Sequence, residues 1–77
     1  MKIKKGNYRH FKGKNYKVFG VAKHSETLEE FVVYQALYGK KQFWIRSADM
    51  FAKKVYVNGK KIPRFKFLSV EQSDGKK

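Results

Sequence analysis

The chain has 77 residues, 19 Lys and Arg against 6 Asp and Glu, no cysteine and a formal net charge of +13. This length allows one small domain and excludes a second. The lack of cysteine excludes a disulfide framework and a thiolate zinc site, so packing must hold the fold and a cytoplasmic location is expected. No apolar run approaches the about 20 residues that a membrane-spanning helix needs, so no membrane partner is expected.

The positive charge favours nucleic acid or another polyanion as the partner, because a cationic surface attracts polyanions. The lysines are scattered, however, mostly in predicted turns and ends such as Lys40–Lys41 and Lys60–Lys61. This placing also suits solubility alone. The net charge therefore leaves both interpretations open.

Two long segments, 15–24 and 30–38, are rich in β-branched and aromatic residues without a helical period, which predicts two strands. The short segment 25–29 between them is predicted to be a hairpin loop. A third strand is predicted over 42–46, after Gly39, which suits a tight reversal. Together these strands form a meander.

The next segment, 47–54, is predicted to form a helical turn. Ser47 is its expected N-cap, and Asp49 lies near the positive end of the helix dipole. Asn58-Gly59 then predicts a hairpin with a two-residue turn. Pro63 lacks an N–H group, so this last ribbon is expected to lie at an edge or to break there.

About five short strands and one short helical turn predict a mainly β fold, either a small strongly bent sheet or an SH3-like barrel. A flat sheet would leave apolar faces and open edges exposed. An OB-type barrel is the alternative. The domain is expected over 1–68, with a flexible tail over 69–77, where apolar content is too low for packing. An open edge could pair with another copy, so we expect a monomer or an edge-paired homodimer.

Symmetric pairing of the first two long strands would place His24 opposite Glu30. Folding back the third strand would place Arg46 opposite Tyr34, with Trp44 on the same face. The other face is more apolar and is the predicted core, although a slip of one residue would exchange the faces. That core set is Phe19, Val21, Phe31, Val33, Leu37, Phe43 and Ile45.

The remaining face combines flat rings with a guanidinium group, which suits a base, a planar ligand or a peptide aromatic through stacking and cation–π contact. Aromatic residues in small β domains more often pack than bind, so Tyr34 and Trp44 could instead belong to the core. A protein partner is a further alternative. The candidate ligand-binding residues are Arg9, His10, Tyr16, His24, Glu26, Glu30, Tyr34, Trp44 and Arg46.

His24 with Glu30 or Glu26 offers a different function, a small-molecule site or an enzyme, because a carboxylate beside an imidazole supports acid–base chemistry. The simpler interpretations are a cross-strand ion pair and ordinary turn chemistry, in which Ser25 and Thr27 hydrogen-bond to nearby backbone. A nucleophilic pair of Ser25 and His24 is disfavoured because neighbours on a strand point to opposite faces. No catalytic residue is assigned.

A metal site would need three or four ligands, and only the two histidines offer nitrogen. His10 and His24 are predicted to lie far apart along the sheet. The chain has no Gly-rich phosphate loop or dinucleotide fingerprint. We therefore expect no metal and no cofactor.

The segments YRHFKG, HSET, VVY, LYG, MF and PRF occur in order between about Tyr8 and Phe67. They resemble the small bacterial family known as domain of unknown function 1653, which implies a compact β domain and leaves the chemistry open. The resemblance implies that the family's signature falls on Tyr8, Arg9, His10, Lys12, Gly13, Tyr16, His24, Ser25, Glu26, Thr27, Glu29, Tyr34, Tyr38, Gly39, Trp44, Arg46, Met50 and Phe51.

The chain departs from that family in two respects. Ser47 stands where members usually carry Pro, but both residues begin a helix well, so the local geometry is expected to survive. Members are also typically less basic, which weakens the nucleic-acid interpretation. The sequence still favours a binding module for an anionic partner, nucleic acid by preference, and leans against an enzyme.

Overall fold

The computed structural model describes residues 3–70. In chain order its elements are β1 (Gly6–His10), β2 (Asn15–Lys23), β3 (Glu30–Ala36), β4 (Phe43–Ser47), α1 (Ala48–Ala52), β5 (Lys54–Val57), β6 (Lys60–Pro63) and β7 (Phe65–Ser69). Five strands form an antiparallel sheet in the order β4-β3-β2-β1-β7, and β5 pairs with β6 in a separate ribbon. The mainly β prediction is confirmed. In the described part of the chain, no helix is long and apolar enough to cross a membrane.

Aromatic rings build the core on one face of the large sheet. Phe51 from α1 stacks on Phe65 from β7, with ring centroids 4.2 Å apart. Tyr8 and Tyr34 each meet Phe51 edge-on at 5.5 Å, which is the geometry that aromatic pairs prefer. The buried residues of this cluster are Tyr8, Val18, Val32, Tyr34, Ala48, Phe51 and Phe65.

The predicted core set is largely exposed, so that prediction is wrong. Phe43 and Ile45 are 62% and 63% exposed, whereas Val32 and Tyr34 on the other side of the meander are buried. Two elements outside the meander, α1 and β7, determine which face is the core. Phe51 from α1 and Phe65 from β7 cover the face that carries Tyr34. Apolar residues on the opposite face are half-buried or exposed. We call this set the outer apolar patch: Phe19, Phe31, Val33, Phe43 and Ile45.

A β-bulge changes the register of the first two long strands. Val18 pairs with Tyr34, but Gly20 pairs with Val33, so one extra residue lies in β2 between them. Glu30 consequently pairs with Lys23. The predicted His24–Glu30 pair is therefore wrong.

The register of β4 differs from the prediction by two residues. Arg46 pairs with Val32, and Trp44 pairs with Tyr34. Because side chains alternate with a period of two, this shift leaves Tyr34, Trp44 and Arg46 on one face, as predicted.

The large sheet bends until side chains from its two edge strands meet. The guanidinium carbon of Arg46 on β4 lies 5.9 Å from the ring centroid of Phe65 on β7. Tyr34 on β3 reaches the same ring at 5.6 Å. These contacts cross the strands that separate β3 and β4 from β7 in the sheet order.

The local turn and cap predictions are confirmed. Ser47 caps α1 by accepting a hydrogen bond from the Met50 N–H at 3.2 Å. Asn58 and Gly59 have φ angles of 52° and 77°, as a two-residue hairpin turn of type I′ requires.

The last strand, β7, was not predicted. Ser69, which the sequence assigned to the tail, belongs to β7, and its Oγ accepts a hydrogen bond from Asn7 Nδ2 at 3.1 Å. The remainder of the predicted tail, beyond Val70, lies outside the described residues.

Candidate functional site

Charge is unevenly distributed along the sheet. All the acidic residues in the described range lie in the loop after β2, at the first position of β3 or at the start of α1: Glu26, Glu29, Glu30 and Asp49. The opposite end of β2, about 26 Å away at ~3.3 Å per residue, meets the β1–β2 and β3–β4 turns. Those turns carry only basic charge, on Lys12, Lys14, Lys40 and Lys41.

A cleft of about 330 Å³ lies next to the β1–β2 turn and is lined by Arg9, His10, Phe11, Ile62, Pro63 and Lys66. Arg9 and Lys66 are exposed and pair across β1 and β7. Phe11 is 36% exposed, and its ring centroid lies 4.6 Å from that of His10. The cleft, which we call the basic cleft, therefore combines an accessible ring with cations on a nearby strand pair.

Both histidines stabilise hairpin turns through Nδ1. His10 Nδ1 accepts the Lys12 N–H at 3.1 Å. His24 Nδ1 accepts the N–H groups of Glu26 and Thr27 at 3.1 and 3.3 Å. A ring nitrogen that accepts a hydrogen bond must be unprotonated, so these bonds require the neutral imidazole in its Nε2-H tautomer.

The HSET segment thus has a complete structural role. The His24 carbonyl accepts the Leu28 N–H at 2.9 Å, and Thr27 Oγ1 accepts the Glu29 N–H at 3.1 Å. The N–H groups of residues 26–29 are thereby satisfied, and of the two side chains that the turn interpretation named, Ser25 and Thr27, it is Thr27 that contributes a hydrogen bond. Glu26 and Glu30 are exposed at this end of the sheet, so the predicted binding residues His24, Glu26 and Glu30 lie apart from the basic cleft.

The structure brings Tyr34, Trp44 and Arg46 together but does not present them as an open platform. Arg46 Nε donates to Tyr34 Oη at 3.4 Å. Tyr34 is only 5% exposed, so its ring belongs to the core, while Trp44 is 49% exposed at the edge of the sheet. A base could reach Trp44 but not the face of Tyr34.

Arg46 and His10 lie against the ring of Phe65, and the positive charges of Arg46 and Arg64 act on His10. We call these three residues, Arg46, Arg64 and His10, the arginine cluster. His10 lies 4.9 Å from that ring, between centroids. Burial lowers the pKa of His10, and the positive charges of Arg64, Arg46 and Lys12 lower it further. Arg64 Nε is buried and has no hydrogen-bond partner among residues 3–70.

Tyr16, another predicted binding residue, is half-buried beside this cluster. Its hydroxyl hydrogen-bonds with that of Tyr38. Burial, followed by this hydrogen bond, raises the pKa of Tyr16 to about 12. Tyr16 is therefore a neutral hydroxyl at physiological pH.

Sequence reasoning missed Phe11, Arg64 and Lys66. Phe11 and Arg64 lie within the YRHFKG and PRF segments, so both were visible as parts of motifs. Lys66 offered no such signal, because its position opposite Arg9 depends on the unpredicted strand β7. Within residues 3–70, no group of three or more His, Asp or Glu is placed to hold a metal ion.

Comparison with known proteins agrees with this description. A family model described as "Protein of unknown function (DUF1653)" matches residues 6–67. A crystal structure of a DUF1653 protein from Bordetella bronchiseptica is similar to this chain, with a TM-score of 0.81 and 30% sequence identity over 94% of this chain and 95% of that one. No curated protein matches. The chain therefore belongs to the DUF1653 family of proteins of unknown function.

Proposed function

We propose that this protein is a binding module that recognises an anionic partner, nucleic acid by preference, through the basic cleft. The observation that carries this proposal is the pairing of Arg9 with Lys66 next to the accessible ring of Phe11. A ring for stacking and cations for the backbone are the two parts that single-stranded nucleic-acid sites share.

In this proposal, one base stacks on Phe11 while neighbouring phosphates contact Arg9 and Lys66. A stacked base contributes about 1–3 kcal/mol, and each phosphate contact makes the affinity depend on salt. The acidic loop lies at the far end of β2, so its repulsion of a polyanion is weak at the cleft. The resulting charge asymmetry also orients the protein as it approaches a polyanion.

We also propose the architecture and the cellular location that the sequence predicts, an SH3-like barrel and the cytoplasm. The bend that joins Arg46 to Phe65 supports an SH3-like barrel left open between β4 and β7. The lack of cysteine suits the cytoplasm. The open edge strands leave a monomer and an edge-paired homodimer as alternatives.

The test is fluorescence anisotropy of labelled single-stranded RNA and DNA at physiological salt. We expect Phe11→Ala to weaken binding at least about fivefold, which corresponds to the loss of about 1 kcal/mol of stacking. Tyr56→Ala, which removes a ring that is 72% exposed on β5, is the matched control and should change nothing. Arg9→Gln should weaken binding more than Lys54→Gln, although both remove one exposed positive charge.

Equal losses for Arg9→Gln and Lys54→Gln, with no effect of Phe11→Ala, would mean that binding depends on net charge alone. Absence of binding to either nucleic acid would contradict the preference for nucleic acid. Either result would direct the search toward another partner.

A second candidate function, protein interaction, is favoured by the outer apolar patch. Phe43 and Ile45 on the edge strand β4 are 62% and 63% exposed, and contiguous exposed apolar surface often marks an interface. Partners captured from a nuclease-treated lysate by the protein, and lost with Ile45→Thr, would support this function.

A further inference from the structure

We propose that the arginine cluster binds a single oxyanion, such as a phosphate or carboxylate group, beside Phe65, where the edge strands β4 and β7 approach each other without pairing. This inference goes beyond the proposed function and does not depend on it. His10 belongs to both sites, but Arg46 and Tyr34 lie on the core face of the sheet, whereas Arg9 and Phe11 line the basic cleft.

The first support is the position of Arg46. Its guanidinium group extends from β4 to the ring of Phe65 on the opposite edge strand and donates one hydrogen bond, to Tyr34. A guanidinium group has five N–H donors in a planar fork, which matches the oxygens of a phosphate or carboxylate group. Most of the donor capacity of Arg46 therefore remains for a ligand.

The second support is the unsatisfied donor of Arg64. Its Nε is buried without a partner in the described part of the chain, although buried polar groups in folded proteins are nearly always hydrogen-bonded. The main chain fixes this residue, because the Arg64 carbonyl accepts the Phe11 N–H at 2.9 Å. An acceptor that enters the cluster would satisfy the donor without moving the backbone.

The third support is uncompensated positive charge. Besides burial, the described groups that lower the pKa of His10 are the cations Arg64, Arg46 and Lys12. Like charges that converge without a counter-charge are unfavourable, and a bound oxyanion removes this cost. By linkage, an anion at the cluster favours the protonated imidazole, so its binding should raise the pKa of His10.

The inference can be tested by titrating the isotope-labelled full chain with inorganic phosphate while NMR follows the Arg Nε–Hε signals and the His10 ring. Sodium chloride at equal ionic strength is the salt control, and acetate distinguishes carboxylate from phosphate as the preferred group. We expect saturable shifts at Arg46 and Arg64, together with an upward shift of the His10 titration.

Conservative variants separate the site from general charge. Arg64→Lys should weaken phosphate binding at least about tenfold, because an ammonium group cannot reproduce a fork of donors. Lys54→Gln, which removes an exposed positive charge outside both the cluster and the basic cleft, should leave it unchanged. Arg46→Lys provides a second test at the site, and circular dichroism verifies that each variant is folded.

Phosphate binding that survives Phe11→Ala would separate this site from the basic cleft, so either proposal can fail alone. Shifts that grow without saturation, that sodium chloride reproduces or that Arg64→Lys leaves unchanged would overturn the inference. If acetate binds and phosphate does not, the site takes carboxylate groups and the phosphate alternative is wrong.

Discussion

The ring of Phe51 lies parallel to the ring of Phe65, with their centroids 4.2 Å apart and their planes 5° from parallel. This contact joins α1, which follows the edge strand β4, to β7, the other edge strand. The pair therefore holds the bend of the sheet and buries its core face.

Replacing Phe65 should test which face of the sheet is the core. We expect Phe65→Ala to lower the free energy of unfolding by about 3–5 kcal/mol, because it removes a buried ring and leaves a cavity. Phe43→Ala removes the same atoms from a residue that is 62% exposed and should cost less than about 1 kcal/mol. Urea denaturation measures both values, and a larger loss for Phe43→Ala would restore the core that the sequence predicted.

The N-cap of α1 should contribute measurably to stability. Ser47→Ala removes the acceptor of the Met50 N–H and should lower the free energy of unfolding by about 1 kcal/mol. Ser47→Asp is the matched control, because it keeps an acceptor and adds a charge that the helix dipole favours. Equal losses in the two variants, measured by thermal or urea unfolding, would show that the cap is unimportant.

Stability should decrease in mildly acidic solution because of His10. Burial and the neighbouring cations lower the pKa of His10 in the folded protein. The unfolded chain, in which the pKa is about 6.5, therefore takes up the proton first. This difference stabilises the folded protein fully at pH values above the pKa of the unfolded chain. The stabilisation is lost as the pH falls through the lower pKa that His10 has in the folded protein.

His10→Asn should reduce this pH dependence, since asparagine keeps an acceptor for the Lys12 N–H but does not titrate. Urea midpoints at pH 7.5 and at pH 5 provide the comparison. A variant whose midpoint still falls as steeply as that of the parent would assign the effect to another group.

The hydroxyl pair of Tyr16 and Tyr38 should be visible in alkaline titration. The pKa of Tyr16 is raised to about 12, by burial first and by the Tyr38 hydrogen bond second. Tyr38→Phe should lower the pKa of Tyr16 while leaving the effect of burial in place. Carbon NMR of the tyrosine rings measures the shift, with Tyr56→Phe as the control, and an unchanged value in Tyr38→Phe would contradict the pairing.

Local features of the fold were predictable because they depend on a few adjacent residues. Ser47 caps α1 and Asn58-Gly59 forms a type I′ turn, as the sequence indicates. Both are decided by the chemistry of one or two side chains, which distant parts of the chain do not alter.

The choice of face and the register were not predictable from the strands alone. Both faces of the meander carry apolar residues, and the side that Phe51 and Phe65 cover becomes the core. The bulge between Val18 and Gly20 then changes the register within β2. A period-two pattern cannot reveal such an insertion, because each half of the strand is regular by itself.

Only part of the candidate site was predictable, because the rest depends on contacts between strands that are distant in sequence. Arg9 and His10 were identified from types of side chain that suit a ligand, and they line the basic cleft. Their neighbour Lys66 comes from β7, which a local reading does not place beside β1. Tyr34 was predicted as a binding residue because its ring suits stacking, but α1 covers that ring in the structure.

The pairing of β1 with β7 also determines when this protein can fold during synthesis. Tyr8 near the start of the described chain pairs with Phe67 near its end, so the sheet depends on contacts of long sequence separation, which form slowly. Until the ribosome releases Phe65, the other rings of the core lack the partner that covers them, and β1 remains an open edge. The sheet can therefore be completed only after β7 has left the ribosome, and until then the positive charge of the chain opposes its aggregation.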